Sequence, residues 1–546
     1  MTTSFDFSAW PPQLTPEHLE ALALTAITYA FSHGLLYLPP SDTQPRIPTS
    51  AIHVPLSLFP APFPRAHFQA ARGLQNVYNV LYARVAMDTH FLDTVMGAEE
   101  GAGRADEFTG ILWNGWKRIR EHGIVQPLHL GLFRSDYLLQ AAEDRFALKQ
   151  VEFNTVASSG SHCERAAAMH RHILTSTSYF SASPYLTADN FPENRANSGL
   201  AEGLAKAHEA YGVSDARILF VVLPNERNVF DQRWVEYELL EKYKIHVIRQ
   251  TLADLAISAS LDPSTHALTV TLPFPTHSLT YEISTIYFRA SLVPSDFPTP
   301  SYYDTRFLLE RSRAIKCPSL PLHLAGGKKV QEALTHPGVL ERFLGNEGAR
   351  WGTDAPDLSA HATDIRATWM SMWALDSEDA DIVAALDHLP APGQGQGITP
   401  PGTHLARLKA SSLVLKPQRE GGGNNVYREA IPAFLDALPA EERKAWIAME
   451  MIETPRGVGG YFMRAIPLSS SSGAGDANAG VNDGDTKKTV VRAEVVSELG
   501  IFGYALFGDG KVVEREVGWL VRTKGADSNE GGVASGFSVL DSVVLV

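Results

Sequence analysis

Leu413-Val414-Leu415-Lys416-Pro417-Gln418-Arg419-Glu420-Gly421-Gly422-Gly423-Asn424-Asn425-Val426-Tyr427 is the stretch on which the reading of the fold turns. Three aliphatic residues form a short buried strand that delivers a lysine. An arginine, a carboxylate and three successive glycines follow. Glycines let backbone N–H groups approach phosphate oxygens closely, Lys416 supplies a point charge, and Glu420 suits a magnesium ion that bridges those oxygens. The competing reading is a glycine-rich surface turn whose charges are solvated. A simple turn has little need of three glycines together with that charge set, so phosphate binding is favoured.

Further along the chain, Gln150-Val151-Glu152-Phe153-Asn154 has the two-residue period of a strand, which puts Glu152 and Asn154 on one face. That pair is either half of an oxygen-rich magnesium site or a polar strand end. Near the C-terminus, Arg522-Thr523-Lys524 precedes a small-residue loop through Gly531 and Gly532 to Gly536, fit for enclosing an anion or for a plain surface turn. Arg134 and Arg289 read as carboxylate clamps or as surface ion pairs. Glu498, in a strand-like run, suits a ribose hydroxyl, a metal or a structural contact. Lys328 and Lys329 follow Gly326-Gly327 and either reach a phosphate or open a helix. His170 and His172 pack or face solvent.

These pieces sit in an alternating pattern. Glu17 to Phe31 and Phe68 to Phe91 have helical apolar recurrence, so the N-terminal part is expected to be largely helical. Short apolar runs at Ala147–Phe153, Ala216–Leu223, His246–Ile248 and Ile283–Phe288 read as buried strands, and Gln232–Tyr243 as a helix between them. That alternation predicts an α/β fold with a partly parallel sheet, whose ligands sit beyond strand C-termini. Pro390–Pro401 and Ser469–Lys488 read as exposed loops. No Walker loop, dinucleotide fingerprint, H-E-x-x-H or G-x-S-x-G occurs, so the familiar nucleotide folds and hydrolases lose weight.

Composition excludes further classes. With 546 residues, 44% apolar and 20% charged, the chain has room for two to four domains and is not a disordered one. A net charge of −14 without a basic cluster argues against nucleic acid as a partner. No apolar run approaches a membrane span, so a soluble protein with no membrane association is expected. The opening Met1-Thr2-Thr3-Ser4-Phe5-Asp6-Phe7-Ser8 reads as mature sequence rather than a signal peptide, which makes the cytoplasm the default location. The two cysteines, Cys163 and Cys317, read as free, inert thiols.

A phosphate loop, phosphate-directed lysines, magnesium-capable carboxylates and arginine clamps together suggest ATP used to activate a carboxylate. The chain resembles the eukaryotic glutathione synthetase family of ATP-grasp carboxylate-amine ligases over nearly its whole length. The resemblance rests on Leu130–Tyr137, Val151–Thr155, Glu226–Gln232, Lys316-Cys317-Pro318 with Leu324–Lys329, Lys416–Tyr427, Ser497–Gly503, and Arg522–Lys524 with Gly531–Ala534.

What the resemblance implies is ATP-dependent ligation of γ-L-glutamyl-L-cysteine to glycine through an acyl phosphate, on an ATP-grasp fold with mixed sheets. It implies a helical N-terminal part with the ATP-grasp body over 1–216, a substrate-binding α/β domain over 217–325, and a C-terminal ATP-grasp part over 326–546. The last would include a glycine-rich lid at about 389–495 and a small-residue loop at 524–536.

By the same resemblance, Lys328, Lys416 and the backbone of Gly421, Gly422, Gly423, Asn424 and Asn425 hold the ATP phosphates. Met449, Glu450, Met451 and Ile452 meet adenine, while Tyr427, Glu498, Lys524 and Glu530 complete the nucleotide site. Glu152, Asn154 and Glu420 would hold Mg2+. The dipeptide falls to Arg134, Val156, Ala157, Ser158, Ser159, Glu226, Arg227, Asn228, Gln232 and Arg289. Arg522, Val533 and Ala534 surround the glycine end, with Arg522 as the main catalytic side chain beside Lys416, Gly421 and Gly422. Met451, Leu292 and Glu530 depart from the residues usual in that family, and 469–488 resembles an insertion. A homodimer is implied. The rival readings are a ligase for another amine such as β-alanine and a nucleotide-binding regulator without turnover.

Overall fold

Along Val490–Gly508 the side chains pass from half-buried to wholly buried, and the strand turns back at Asp509-Gly510 into Lys511–Gly525. In a computed structural model this antiparallel hairpin is the spine of a mixed sheet with 13 strands among the described residues. The structure describes residues 5–40, 47–142, 145–156, 158, 160–176, 183–345, 356–386, 400–420, 423–464, 490–529, 533 and 538–546. The 469–488 stretch and nearly all of 390–401 lie outside them.

On one side of the hairpin, Val490–Gly508 pairs antiparallel with His129–Ala142, which itself pairs antiparallel with Arg145–Asn154. Beyond His129 the sheet becomes parallel, through Ile315–Cys317, Ser278–Phe288, Arg217–Val221 and Val247–Gln250. The helix Val229–Tyr243 lies in sequence between two of those parallel strands, as the α/β alternation predicts. Ile218 and Phe220 enter one core cluster while Leu219 and Val221 enter the other, so this strand is buried on both faces.

A second sheet of four antiparallel strands runs in the order Met372–Ala374, Ile447–Glu450, Leu413–Lys416, Val426–Tyr427. It has its own core of Trp373, Leu405, Leu413, Leu415, Ile431 and Leu435. Register matters here: Leu413 and Leu415 point into that core, so Lys416 closes the strand with its side chain turned toward the large sheet.

One helix boundary differs from the sequence expectation. Apolar recurrence continues from Phe68 to Phe91, but the structure has two helices, Arg65–Met87 and Thr89–Met96. Asp88 leaves the helical region and accepts the Phe91 N–H at 3.0 Å, capping the second helix. Among the described residues, no helix is long and apolar enough to cross a membrane.

Candidate active site

Strand register assembles the charged face. Asp136 lies opposite Glu152, and Arg134 opposite Asn154. On the other side Asp136 lies opposite Gly500, and one strand further Glu498 lies opposite Arg522. Because directly opposed residues share a face, four consecutive strands present Glu152, Asn154, Arg134, Asp136, Glu498 and Arg522 together. Arg134 binds Asp136 through Nε at 2.6 Å and Nη2 at 2.7 Å. The Arg522 Nη2 donates to Asp136 Oδ2 at 3.0 Å and also to Glu498 Oε1.

The second set arrives from the small sheet and a short helix. Lys416 Nζ reaches across to the carbonyl of Val151 at 2.8 Å, joining the two sheets. Lys328 opens the helix Lys328–Ala333, and its ammonium stands 3.1 Å from Glu152 Oε2. The neighbouring Lys329 N–H donates to Gln418 Oε1 at 3.1 Å, which fixes that helix start against the loop after Lys416. Glu420 has a buried Oε2 without a hydrogen-bond partner among the described residues. A Cβ on Gly326 would overlap Thr155 Oγ1 and come 3.3 Å from Glu420 Oε1, so the closeness of these segments requires glycine there.

Charge and burial tune these groups in opposite directions. Burial alone would raise the Glu152 carboxyl, but Lys328, Lys416, Arg134 and Arg522 outweigh it and hold it at about 2. Burial works against the Lys328 ammonium, and Glu152 with Glu420 more than restores it, leaving it raised. Glu420 is raised by burial, with Glu152 and Asp136 adding and Lys328 and Arg134 subtracting. A buried carboxylate short of partners beside a lysine-balanced one is an oxygen donor set suited to a hard cation. Among the described residues, no three His, Cys, Asp or Glu side chains form a metal cage by themselves. Magnesium commonly takes one or two carboxylates and completes its shell with phosphate and water.

The expected adenine segment follows from the same sheet. Met449 is buried opposite Val414 and Met372. The Glu450 carboxylate meets Lys409 at 3.3 Å. Met451 donates its N–H to Ser412 and receives Arg428 Nε on its sulfur at 3.2 Å, while Ile452 is half-buried. Asn425 Nδ2 donates to the Tyr427 hydroxyl at 3.1 Å, and Gly423 takes φ 91°, a left-handed conformation suited to glycine. Asn424 is exposed beside it.

The expected dipeptide residues form a linked group. Glu226 accepts from the Asn228 N–H at 2.8 Å and from Gln232 Nε2 at 3.2 Å, and Asn228 Nδ2 reaches Asp231 at 3.4 Å. Arg289 donates to the Tyr287 hydroxyl at 3.4 Å, which in turn donates to the Ser158 carbonyl. Val156 and Ser158 are buried, with the Ser158 hydroxyl tied to the Leu132 carbonyl at 2.9 Å. Arg227 instead donates to the Leu38 carbonyl at 3.1 Å. Lys524 donates to the Asn529 carbonyl at 2.8 Å, and Val533 packs at the edge of a core cluster. Gly421, Gly422, Ala157, Ser159, Glu530 and Ala534 lie outside the described residues.

Asp136, Gly326 and Gly500 are the residues that sequence reasoning passes over. The signal for Asp136 is its two-residue spacing from Arg134 on a strand; the glycines become meaningful only through close approach.

The family described as eukaryotic glutathione synthase, ATP binding domain, matches residues 16–545. Glutathione synthetase of Mus musculus is 35% identical over 540 residues, covering 98% of this chain and 99% of that protein. The glutathione synthetase large chain of Schizosaccharomyces pombe is 33% identical over 557 residues, covering 97% and 98%. A solved glutathione synthetase-like effector from Globodera pallida, in apo form, superposes with a TM-score of 0.68 over 98% of both chains; at 23% identity this bears on the fold alone.

Proposed function

As a member of the eukaryotic glutathione synthase family, matched over residues 16–545, the chain is an ATP-dependent ligase that makes glutathione, and we propose that it works through an acyl phosphate on the charged face described above. The observation that carries this reading is the convergence of Lys328 and Lys416, from two separate elements, on the carboxylates Glu152 and Glu420 beside Arg522.

A carboxylate is a poor electrophile because oxide is a poor leaving group. An oxygen of the cysteinyl carboxylate of γ-L-glutamyl-L-cysteine therefore attacks the γ-phosphorus of ATP, and the bond to ADP breaks. The glycine amine then attacks the acyl carbon, the carbon–oxygen bond to phosphate breaks, and the amine loses a proton as the amide forms. Lys328, Lys416 and the backbone of Gly421 to Asn425 hold the phosphates in line, so catalysis is chiefly positioning and electrostatics. Arg134, Val156, Ala157, Ser158, Ser159, Glu226, Arg227, Asn228, Gln232 and Arg289 hold the dipeptide. Arg522 faces the reacting carboxylate, where a guanidinium stabilises the negative charge that develops on oxygen. Val533 and Ala534 border the glycine.

Met449, Glu450, Met451 and Ile452 take the adenine between the two sheets, with Tyr427, Glu498, Lys524 and Glu530 closing the nucleotide site. Glu498 does this while paired with Arg522. The oxygen-rich set of Glu152, Asn154 and Glu420, with the unpartnered buried Glu420 Oε2, fits Mg2+. When bound, that ion neutralises charge on the transferred phosphoryl group.

On the ATP-grasp reading the body spans 1–216, the substrate domain 217–325 and the C-terminal part 326–546. The lid about 389–495 and the loop 524–536 exclude water that would hydrolyse the acyl phosphate. A homodimer is supported by exposed Leu24 and Phe31 on Pro16–Ser32 and by Tyr237 and Leu240 on Val229–Tyr243. Gly34, two residues beyond the first of these helices, lies against Trp234 on the second. Two free, buried cysteines suit a reducing cytoplasm.

The acyl phosphate is tested with γ-glutamylcysteine carrying oxygen-18 in its cysteinyl carboxylate. One labelled oxygen should appear in the released phosphate for each tripeptide formed; unlabelled phosphate would overturn the intermediate.

A further inference from the structure

Asp136 is wholly buried, yet it carries a carboxylate shared by two guanidinium groups. Arg134 engages it through the Nε and Nη2 fork, and Arg522 through Nη2 at 3.0 Å. Asn154 Nδ2 adds a fourth hydrogen bond at 3.0 Å. None of the chemistry assigned above uses Asp136 directly.

We propose that Asp136 is a positioning residue that sets the spacing and plane of Arg134 and Arg522, and so ties the dipeptide clamp to the arginine at the reacting carboxylate. The proposal rests on the ligase reading and adds a residue to it.

Two guanidinium ions in a poorly screened interior repel each other, and one anion between them removes that repulsion and fixes their separation. The fork geometry of Arg134 spends Nε and Nη2 on Asp136, which leaves its Nη1 end outside that pair. Arg522 spends Nη2 on Asp136 and Glu498, while its Nε is buried without a hydrogen-bond partner among the described residues. A buried donor left unmade is costly in the resting protein and is suited to an incoming carboxylate or phosphoryl oxygen.

The neighbouring strand is cut back to allow this arrangement. A Cβ at Gly500 would lie 2.8 Å from Asp136 Oδ1 and 2.9 Å from Arg134 Cδ, so a side chain there would push directly on the shared carboxylate. Gly500 sits opposite Asp136 in the register. Glycine weakens a strand interior and is common where another group approaches closely. Here the approaching group is the Asp136 carboxylate with its arginine.

The test compares the full-length wild type with Asp136→Asn, which keeps the shape and removes the charge. Turnover should fall about 100-fold, the scale of losing one transition-state donor. The KM for γ-glutamylcysteine should rise about tenfold or more, while the directly measured Kd for magnesium–ADP stays within about threefold of wild type. A merely structural residue would not split the two ligands in this way. Turnover and KM within about twofold of wild type in the folded variant would overturn the proposal, and so would equal losses for dipeptide and nucleotide. If Asp136→Asn does not accumulate as folded protein, Gly500→Ala carries the same test, because it displaces the carboxylate with every charge retained. The same split is expected, and the same two outcomes overturn it. A wild type without glycine-dependent turnover would overturn the ligase reading itself, and is recognised before any variant is compared.

Discussion

The Lys328 ammonium stands 3.1 Å from the Glu152 carboxylate, and both side chains are largely withdrawn from water. A cation from a helix start and an anion from a strand end thus meet where neither would be stable alone. The pairing has a measurable consequence in acid.

Burial pushes Glu152 upward from its ordinary 4.5, but Lys328 and the other cations win and hold it at about 2. A carboxyl depressed on folding contributes stability that is fully present above about 4.5 and is lost as the pH falls toward about 2. Glu152→Gln should therefore cost stability at pH 7, at most ~3 kcal/mol, and progressively less below pH 4.5. Urea midpoints of wild type and variant at pH 7 and at pH 3.5 check this; a difference independent of pH would refute it.

The opposite sign applies to Asp541. Burial lifts it to about 7, although Thr523 Oγ1 at 2.6 Å and the Ser542 N–H at 2.7 Å favour its anion. A carboxyl raised on folding contributes stability that is full below about 3.8 and is lost as the pH rises through about 7. Over that window the protein should lose up to ~4 kcal/mol from this group. Asp541→Asn should flatten the fall in thermal midpoint between pH 5 and pH 8; an unchanged slope would count against the assignment.

Gly326 lies where the phosphate-directed segments come close together. Gly326→Ala drives a methyl group into Thr155 Oγ1 and toward Glu420. The KM for ATP should rise about tenfold, whereas the overall loss of stability stays near the ~1–3 kcal/mol of ordinary overpacking. An unchanged KM for ATP would show that Glu420 lies outside the nucleotide site.

Both cysteines are bystanders. Cys163 and Cys317 are buried, and burial holds both thiols well above their usual range. Thiolates are the reactive form. Cys163→Ala and Cys317→Ala should each keep turnover within about threefold, and the native protein should resist iodoacetamide at pH 8 until urea is added. Rapid inactivation of the native protein would point to a thiol in the chemistry.

Local patterns made much of this legible before the structure. The two-residue period of Gln150–Asn154 places Glu152 and Asn154 on one face because strand geometry is local, and the strand Arg145–Asn154 carries them so. Lys416 at the end of an aliphatic run is legible for the same reason. Asp136 is different: its meaning depends on Arg522, which lies 386 positions further along the chain and reaches it only through the pairing of three strands. Register of that range leaves no trace in a local window. Arg134 reads from sequence as a clamp or, more often for such a residue alone, a surface ion pair, and its buried fork on Asp136 becomes visible only with side-chain geometry. The helix break at Asp88 was hidden because apolar recurrence crosses it unchanged and a single cap decides the boundary.

The most direct test of the account is ADP release from magnesium-ATP and γ-glutamylcysteine, run with glycine, with β-alanine and with neither, beside a Glu420→Ala control. Glycine-dependent ADP matched by an equal amount of tripeptide, and loss of both in the control, is the result expected of the ligase. ATP binding without turnover on any amine, or ADP release indifferent to glycine and to Glu420, would contradict it.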